Sequence, residues 1–386
     1  EGQQKSEARY PVQVASSVFA DSSSLSHRRL NPTSLDGEIP ARAGRGRHPS
    51  RLDGRELLPR RPHKRRCHRG SHPRRRRLFH RRVPGRAVQS PPTTVSMVGS
   101  DFSYRVSHAP AVSSSPTTVF HAYFSEELDA GGTVDRVLKR VRHCGPITAS
   151  DLPESPRFDF GMAVGVGGEI SPETLERILD LCDVVFVDVQ SLIREFDPLD
   201  GTVKLIRLED SEFSHLLPRI GFLKASAEEA AYVDVEEARK QCCVVVTNGE
   251  NGCAVHWNGG ELQVSPFETV QVDPTGAGDG FLAGFVYGLV QGLAVPDAAL
   301  LGNFFGSLTV GQIGLPKFHP TLLPRVKDEV SRRKQQCDGI DRHDGSRDEH
   351  DNDNGAMKVT FMKLGGHEEF HASLSAAAKS ALASFS

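Results

Sequence analysis

Four apolar runs constrain this chain more than any other feature: "FDFGMAVGVGGEI" (158–170), "DVVFVDV" (183–189), "RIGFLKAS" (219–226) and "CCVVVTNG" (242–249). None alternates polar with apolar residues, as a strand with one wet face would. Strands that are apolar on both sides need cover on both sides, and the intervening segments can supply it. In "SPETLERILDLC", Ser171 is placed as an N-cap and Pro172 as the first helical residue. Thr174, Leu175, Ile178, Leu179 and Cys182 then fall on one helical face. "AEEAAYV" and "VDVEEARKQ" also read as helical. Buried strands alternating with helices predict an α/β fold: a doubly wound, mostly parallel sheet with helices on both faces.

Residues 95–106 and 116–124 read as earlier strands. "GCAVHW" and "GELQVSP" read as a hairpin turning at "NGG". Helices are expected over 277–291, 296–314 and 321–334, with a weak lone helix near the end of the chain. In sheets of this kind ligands bind beyond the carboxyl ends of the strands. Asp188, residues 224–226 and residues 247–249 should therefore share one crevice.

The stretch "VDPTGAGDGFLAGFVYGLVQGL" (272–293) adds a loop of glycines in front of an apolar helix. Gly276, Gly278 and Gly280 allow a tight turn and close approach of a ligand to backbone. The helix N-terminus behind them offers free N–H groups and partial positive charge, so the loop is an anion cradle or, more plainly, a turn. Asp279 would repel a bound phosphate unless it has a proton to accept. That combination suits phosphoryl transfer, with the N–H groups neutralising charge and Asp279 as general base. The "TNGENG" stretch (247–252) is either an ordinary turn or a second phosphate cup. No Walker-type lysine follows the glycine loop, and "VGVGGEI" lacks the GxGxxG spacing. His121, His256 and His319 have no ligand-like spacing.

The net charge of −2 hides a marked asymmetry. Residues 28–86 hold about twenty Lys and Arg against four acids, with neither strand nor helix period. Residues 1–94 are therefore expected to be a basic, low-order segment, either disordered or GC-rich coding sequence read in another frame. A basic arm for nucleic acid is the competing reading, but aromatic residues for stacking are almost absent, so a nucleic-acid partner is not expected. The kinase-like domain is expected over 95–334, and residues 335–386 form an acidic, polar tail that is mostly disordered. The seven cysteines include no CxxC pair. Neither zinc nor a disulfide framework is indicated, and reduced core cysteines fit a cytoplasmic protein. No apolar run reaches membrane-spanning length. The chain begins at Glu1 rather than Met, which leaves room for a preceding segment.

"DPTGAGDGF" (273–281) resembles the second signature of the PfkB (ribokinase-like) carbohydrate kinases. More narrowly, "RFDFGMAVGV", "DVVFVDVQSLIREFDP", "GFLKASAEEA", "VVVTNGENG" and "VPDAALLGNFFGSLTVGQIGLPKF" resemble the plant inositol 3-kinase branch, over about residues 95–330. The resemblance implies a ribokinase-like fold and an enzyme that uses ATP and Mg2+ to phosphorylate a small polyol, myo-inositol. It implies that Asp279 is the proton acceptor and that Gly276, Ala277 and Gly278 form the anion hole. Ser226 and Glu229 match an N-x-x-E element that orders magnesium, indirectly through Glu229, and phosphate. Ser stands here in place of the usual Asn. Thr247, Gly249 and Gly252 match a phosphate-side T-x-G-x-x-G element, and Asn303 matches a position beside adenine. Two departures stand out. Gly280 occupies a place usually held by Ser or Thr. The family's first strand with its substrate-binding Asp, its Gly-Gly segment and its lid strands are missing or replaced in residues 1–95. A catalytically impaired nucleotide-binding pseudo-kinase, lacking the substrate half-site, is therefore the second expectation.

Overall fold

The computed structural model describes residues 93–340 and 365–383 apart from 104–105, 107, 129–133, 155–156, 315 and 317–318, together with two strands at 7–8 and 16–20. Most of the basic segment, including residues 21–92, lies outside the described residues.

The centre of the fold is set by four parallel strands: β7 (Phe158–Val164), β8 (Cys182–Asp188), β11 (Phe222–Ser226) and β12 (Cys243–Thr247). These are the four apolar runs. Alternate residues on them enter opposite cores. Phe186, Cys243 and Val245 face one side, while Val185, Val187, Leu223 and Val244 face the other. That is why the runs show no regular polar alternation: each strand face is a core face.

The flanks are antiparallel. β13 (Cys253–Trp257) and β14 (Gly260–Val264) form the expected hairpin and extend the sheet beyond β12. On the other flank β2 (Ser16–Ala20) pairs antiparallel with both β7 and β3 (Thr93–Gly99), and β4 (Ala111–Ser113) follows β3 in parallel. Among the described residues this makes a nine-stranded mixed sheet. The place beside β7 is thus filled from a stretch where the sequence shows no period. Main-chain pairing supplies what side-chain pattern does not announce.

Residues 119–128 and 134–142 leave the main sheet. β5 (Val119–Leu128) and β6 (Val134–Arg142) pair as an antiparallel ribbon with β1 (Glu7–Ala8). A second small hairpin, β9 (Arg194–Phe196) with β10 (Val203–Leu205), lies against it through Arg140 N, which donates to Gly201 O at 2.8 Å.

One core lies under α1 (Pro172–Leu181), whose Ser171 cap accepts from Thr174 N as expected. The opposite core lies under α5 (Ala277–Val290), α6 (Val295–Val310), α7 (Leu322–Ile340) and α8 (His367–Ala383). α5 and α6 approach closely: a Cβ at Gly284 would lie 2.7 Å from Leu301 O. The helices expected after β11 shrink to single turns, α3 (Ala227–Ala230) and α4 (Val235–Ala238). Ser226 and Asp234 each cap one of them, and two caps in quick succession divide what periodicity alone would join.

The boundary expected at residue 334 falls inside a helix. α7 runs on to Ile340, and α8 buries Phe370, Leu374, Ala377 and Ala381 in the α5–α6 core. The alanine-rich composition concealed an amphipathic face that only a partner helix makes stable. Residues 341–364 lie outside the described residues.

Candidate functional site

Strands β8, β11 and β12 end at Asp188, Ser226 and Thr247. The loop in front of α5 meets those ends. Gly276 caps α5 at φ +79°, a left-handed conformation that a Cβ would strain. Asp273 Oδ1 accepts from Thr275 N at 2.9 Å and shapes the approach. A Cβ on Gly278 would stand 2.8 Å from Lys224 Nζ, so the ammonium of β11 lies directly against the backbone of the glycine loop.

Lys224 is buried, and its Nζ donates to Asp188 Oδ2 at 2.9 Å. Burial opposes its charge, but Asp188, Glu229 and Asp279 outweigh burial and raise its pKa. Asp279 stands in the opposite position. Burial pushes its carboxyl up, and the charge of Asp188 adds to this. Lys224 pulls it down, Glu229 raises it and Arg194 lowers it, for a net value of about 6. Asp188, Lys224, Glu229, Arg194 and Asp279 thus form one electrostatic neighbourhood, which takes in the ends of β8 and β11.

Other expected residues play plainer local parts. Ser226 and Glu229 form a reciprocal capping box on α3. Ser226 N donates to Glu229 Oε2 at 2.9 Å and Glu229 N to Ser226 Oγ at 3.1 Å. Thr247 Oγ1 donates to Ala225 O at 3.3 Å. Gly249 and Gly252 both take positive φ in the turn after β12. A Cβ at Gly252 would meet Val264 O at 2.2 Å and Asn303 Nδ2 at 3.1 Å. Asn303 donates to Val264 O at 3.1 Å and Ser265 O at 2.8 Å, so its amide holds the wall after β14.

Glu169 received no role from the sequence. It is buried, its pKa is raised by burial, and its Oε2 accepts from Gly167 N at 2.6 Å. Arg194 donates to Val166 O at 3.0 Å and Arg140 to Gly167 O at 3.3 Å, so two cations clamp this loop. Arg194 acts electrostatically on both Glu169 and Asp279, which joins the loop to the crevice. The sequence signal was one glutamate after two glycines, too common to single out.

A glycine loop at a helix N-terminus, a buried ammonium against it and a carboxyl with raised pKa in the first turn are suited to phosphoryl transfer to an alcohol. The description "pfkB family carbohydrate kinase" matches residues 177–322. The chain is 60% identical over 256 residues to an inositol 3-kinase of Arabidopsis thaliana, covering 66% of this chain and 72% of that one. It is 50% identical over 296 residues to an inositol 3-kinase of Zea mays, covering 75% of this chain and 74% of that one. Among solved structures, a pyrophosphate-dependent kinase in the ribokinase family overlays with a TM-score of 0.46 at 17% identity, over 54% of this chain and 74% of that chain. This chain belongs to the pfkB family of carbohydrate kinases, and it is a kinase with an α/β fold. Among the described residues no helix is long and apolar enough to cross a membrane.

Proposed function

We propose that this chain transfers the γ-phosphoryl group of ATP to the 3-hydroxyl of myo-inositol. The observation that carries the reading is Asp279, a carboxyl of pKa about 6 at the mouth of the glycine loop. Such a group is ionised at neutral pH and still basic enough to take the proton of an attacking hydroxyl. The N–H groups of Gly276, Gly278 and Asp279 and the ammonium of Lys224 would meet charge on the transferring phosphoryl, while the Ala277 N–H already donates to Pro274 O at 3.1 Å. Thr247, Gly249 and Gly252 would line the phosphate side of the donor, and Asn303 would shape the wall near its base. Glu169, with Arg194 beside it, offers a buried carboxylate to acceptor hydroxyls. The inositol acceptor comes from the names of the plant relatives.

Mg2+ would sit mainly on donor phosphates and water, with Glu229 and Asp188 supplying outer carboxylates. The donor set fits that role. Among the described residues no three His, Cys, Asp or Glu side chains form a metal cage, and a phosphate-borne Mg2+ needs none. Bound there, the ion neutralises phosphate charge.

The impaired pseudo-kinase reading finds no favouring observation in this site. What weighs against it is identity of 60% and 50% to two plant inositol 3-kinases over most of the chain. The test is incubation of the full chain with labelled ATP, Mg2+ and a panel of polyols, with the product position read by NMR. Inositol 3-phosphate is expected. Transfer to a different polyol would overturn the acceptor. ATP binding without transfer to any polyol would overturn the reading in favour of the pseudo-kinase.

A further inference from the structure

Helix α8 closes the core, but one of its residues does something else. His371 stacks on Phe267, with ring centroids 4.2 Å apart and planes 12° apart. Its Nε2 donates to Pro266 O at 2.7 Å. Phe267 in turn packs edge-on against Phe304 of α6 at 5.2 Å. Two residues earlier, Val264 O and Ser265 O accept from Asn303. A Cβ at Gly252 would stand 2.9 Å from Pro266 N. Residues 264–267 are therefore clamped between the turn after β12, helix α6 and helix α8.

This clamp matters because the segment has no regular structure of its own. It leads from β14 into the exposed stretch before the glycine loop, where Val270 is 81% exposed. The later part of that stretch is tied to α6, with Val272 N and Asp273 N both donating to Val310 O. The earlier part is tied to α8 by His371. Val264 O and Pro266 N lie against Gly252, so a donor with its phosphates between the glycine loop and that turn would have residues 264–267 as its neighbouring wall.

The geometry points to His371 as a positioning residue for the nucleoside end of the phosphate donor, which makes α8 an outer support of the donor site. This rests on the ATP reading above. The stack and the hydrogen bond each fix part of the segment, and neither touches the phosphate cradle.

The test compares ATP with inorganic tripolyphosphate, a donor-like chain with no nucleoside, by calorimetry on the full chain with Mg2+. His371→Ala should weaken ATP binding and raise its KM about tenfold, with tripolyphosphate affinity and kcat changing less than about twofold. His371→Gln, which keeps an N–H donor, and His371→Phe, which keeps the stack, should each recover part of the loss. Equal weakening of both ligands would assign His371 a general folding role and overturn the inference. Unchanged ATP binding in His371→Ala would overturn it while leaving the ATP reading intact. A wild-type chain that binds tripolyphosphate but not ATP would fail the ATP reading itself, and the inference with it.

Discussion

Asp279 opens α5 and Asp297 opens α6; each is an acid in the first turn of an apolar helix, with basic groups close by. Their surroundings differ. Asp297 is completely buried, with Arg333 Nε donating to one oxygen at 2.7 Å and His367 Nδ1 bonded to the other at 2.8 Å. Arg333 also reaches Gly365 O, so this cluster ties α6, α7 and the start of α8 together. The Asp279 carboxyl has no such partners among the described residues, and the like charges of Asp188 and Glu229 press on it. A buried acid whose oxygens are both satisfied is mortar. A half-buried one with like charges around it, in the first turn behind the glycine loop, keeps its proton affinity high and available for chemistry.

The largest expected effect tests the acid of the glycine loop. Asp279→Asn should lower kcat by on the order of a thousandfold while ATP still binds. In the wild type, kcat/KM should fall as pH drops through about 6, because only the carboxylate accepts a proton. Stability should move the other way. An acid whose folded pKa is raised carries no penalty below its unfolded value of 3.8 and the full penalty above about 6. Asp279→Asn should therefore raise the melting temperature at pH 8 and leave it nearly unchanged at pH 3.5. Retained activity, or a variant less stable at pH 8, would break the contrast.

Next comes the satisfied partner. Arg333→Met removes one side of a fully buried ion pair and should cost about 3–5 kcal/mol, read from urea titration. A variant as stable as wild type would show that the cluster does not hold α8. The smallest effect sharpens the point about burial. Arg219 pairs with Glu176 at 3.3 Å and Asp180 at 2.6 Å, but on the surface. Arg219→Ala should cost less than about 1 kcal/mol in the same titration, and high salt should erase even that.

Much of this was legible beforehand. The central strands announced themselves because both faces of each are core, which leaves uninterrupted apolar residues from Val184 to Val187 and from Cys242 to Val246. The glycine loop was legible because a left-handed turn at Gly276 and a tight approach at Gly278 leave few residue types able to stand there. Glu169 and Arg194 were not legible. Their meaning depends on which loops meet across the sheet, and no spacing along the chain encodes that. The capping box of Ser226 and Glu229 was visible as a pair, but its helical use competes with its expected use at phosphate and metal, and local pattern does not choose between them.

The chain's own order of residues determined the α/β class, the parallel centre of the sheet, the glycine turn before α5 and the acid in its first turn. These follow from short-range rules: period, capping, backbone freedom and dipole. The tertiary structure alone decided that β2 enters the sheet, that α8 belongs to the core, that Lys224 presses on the glycine loop and that Asp279 titrates near 6 while Asp297 is locked in place. Burial and charge act through space, so their outcome is set only when distant segments have packed.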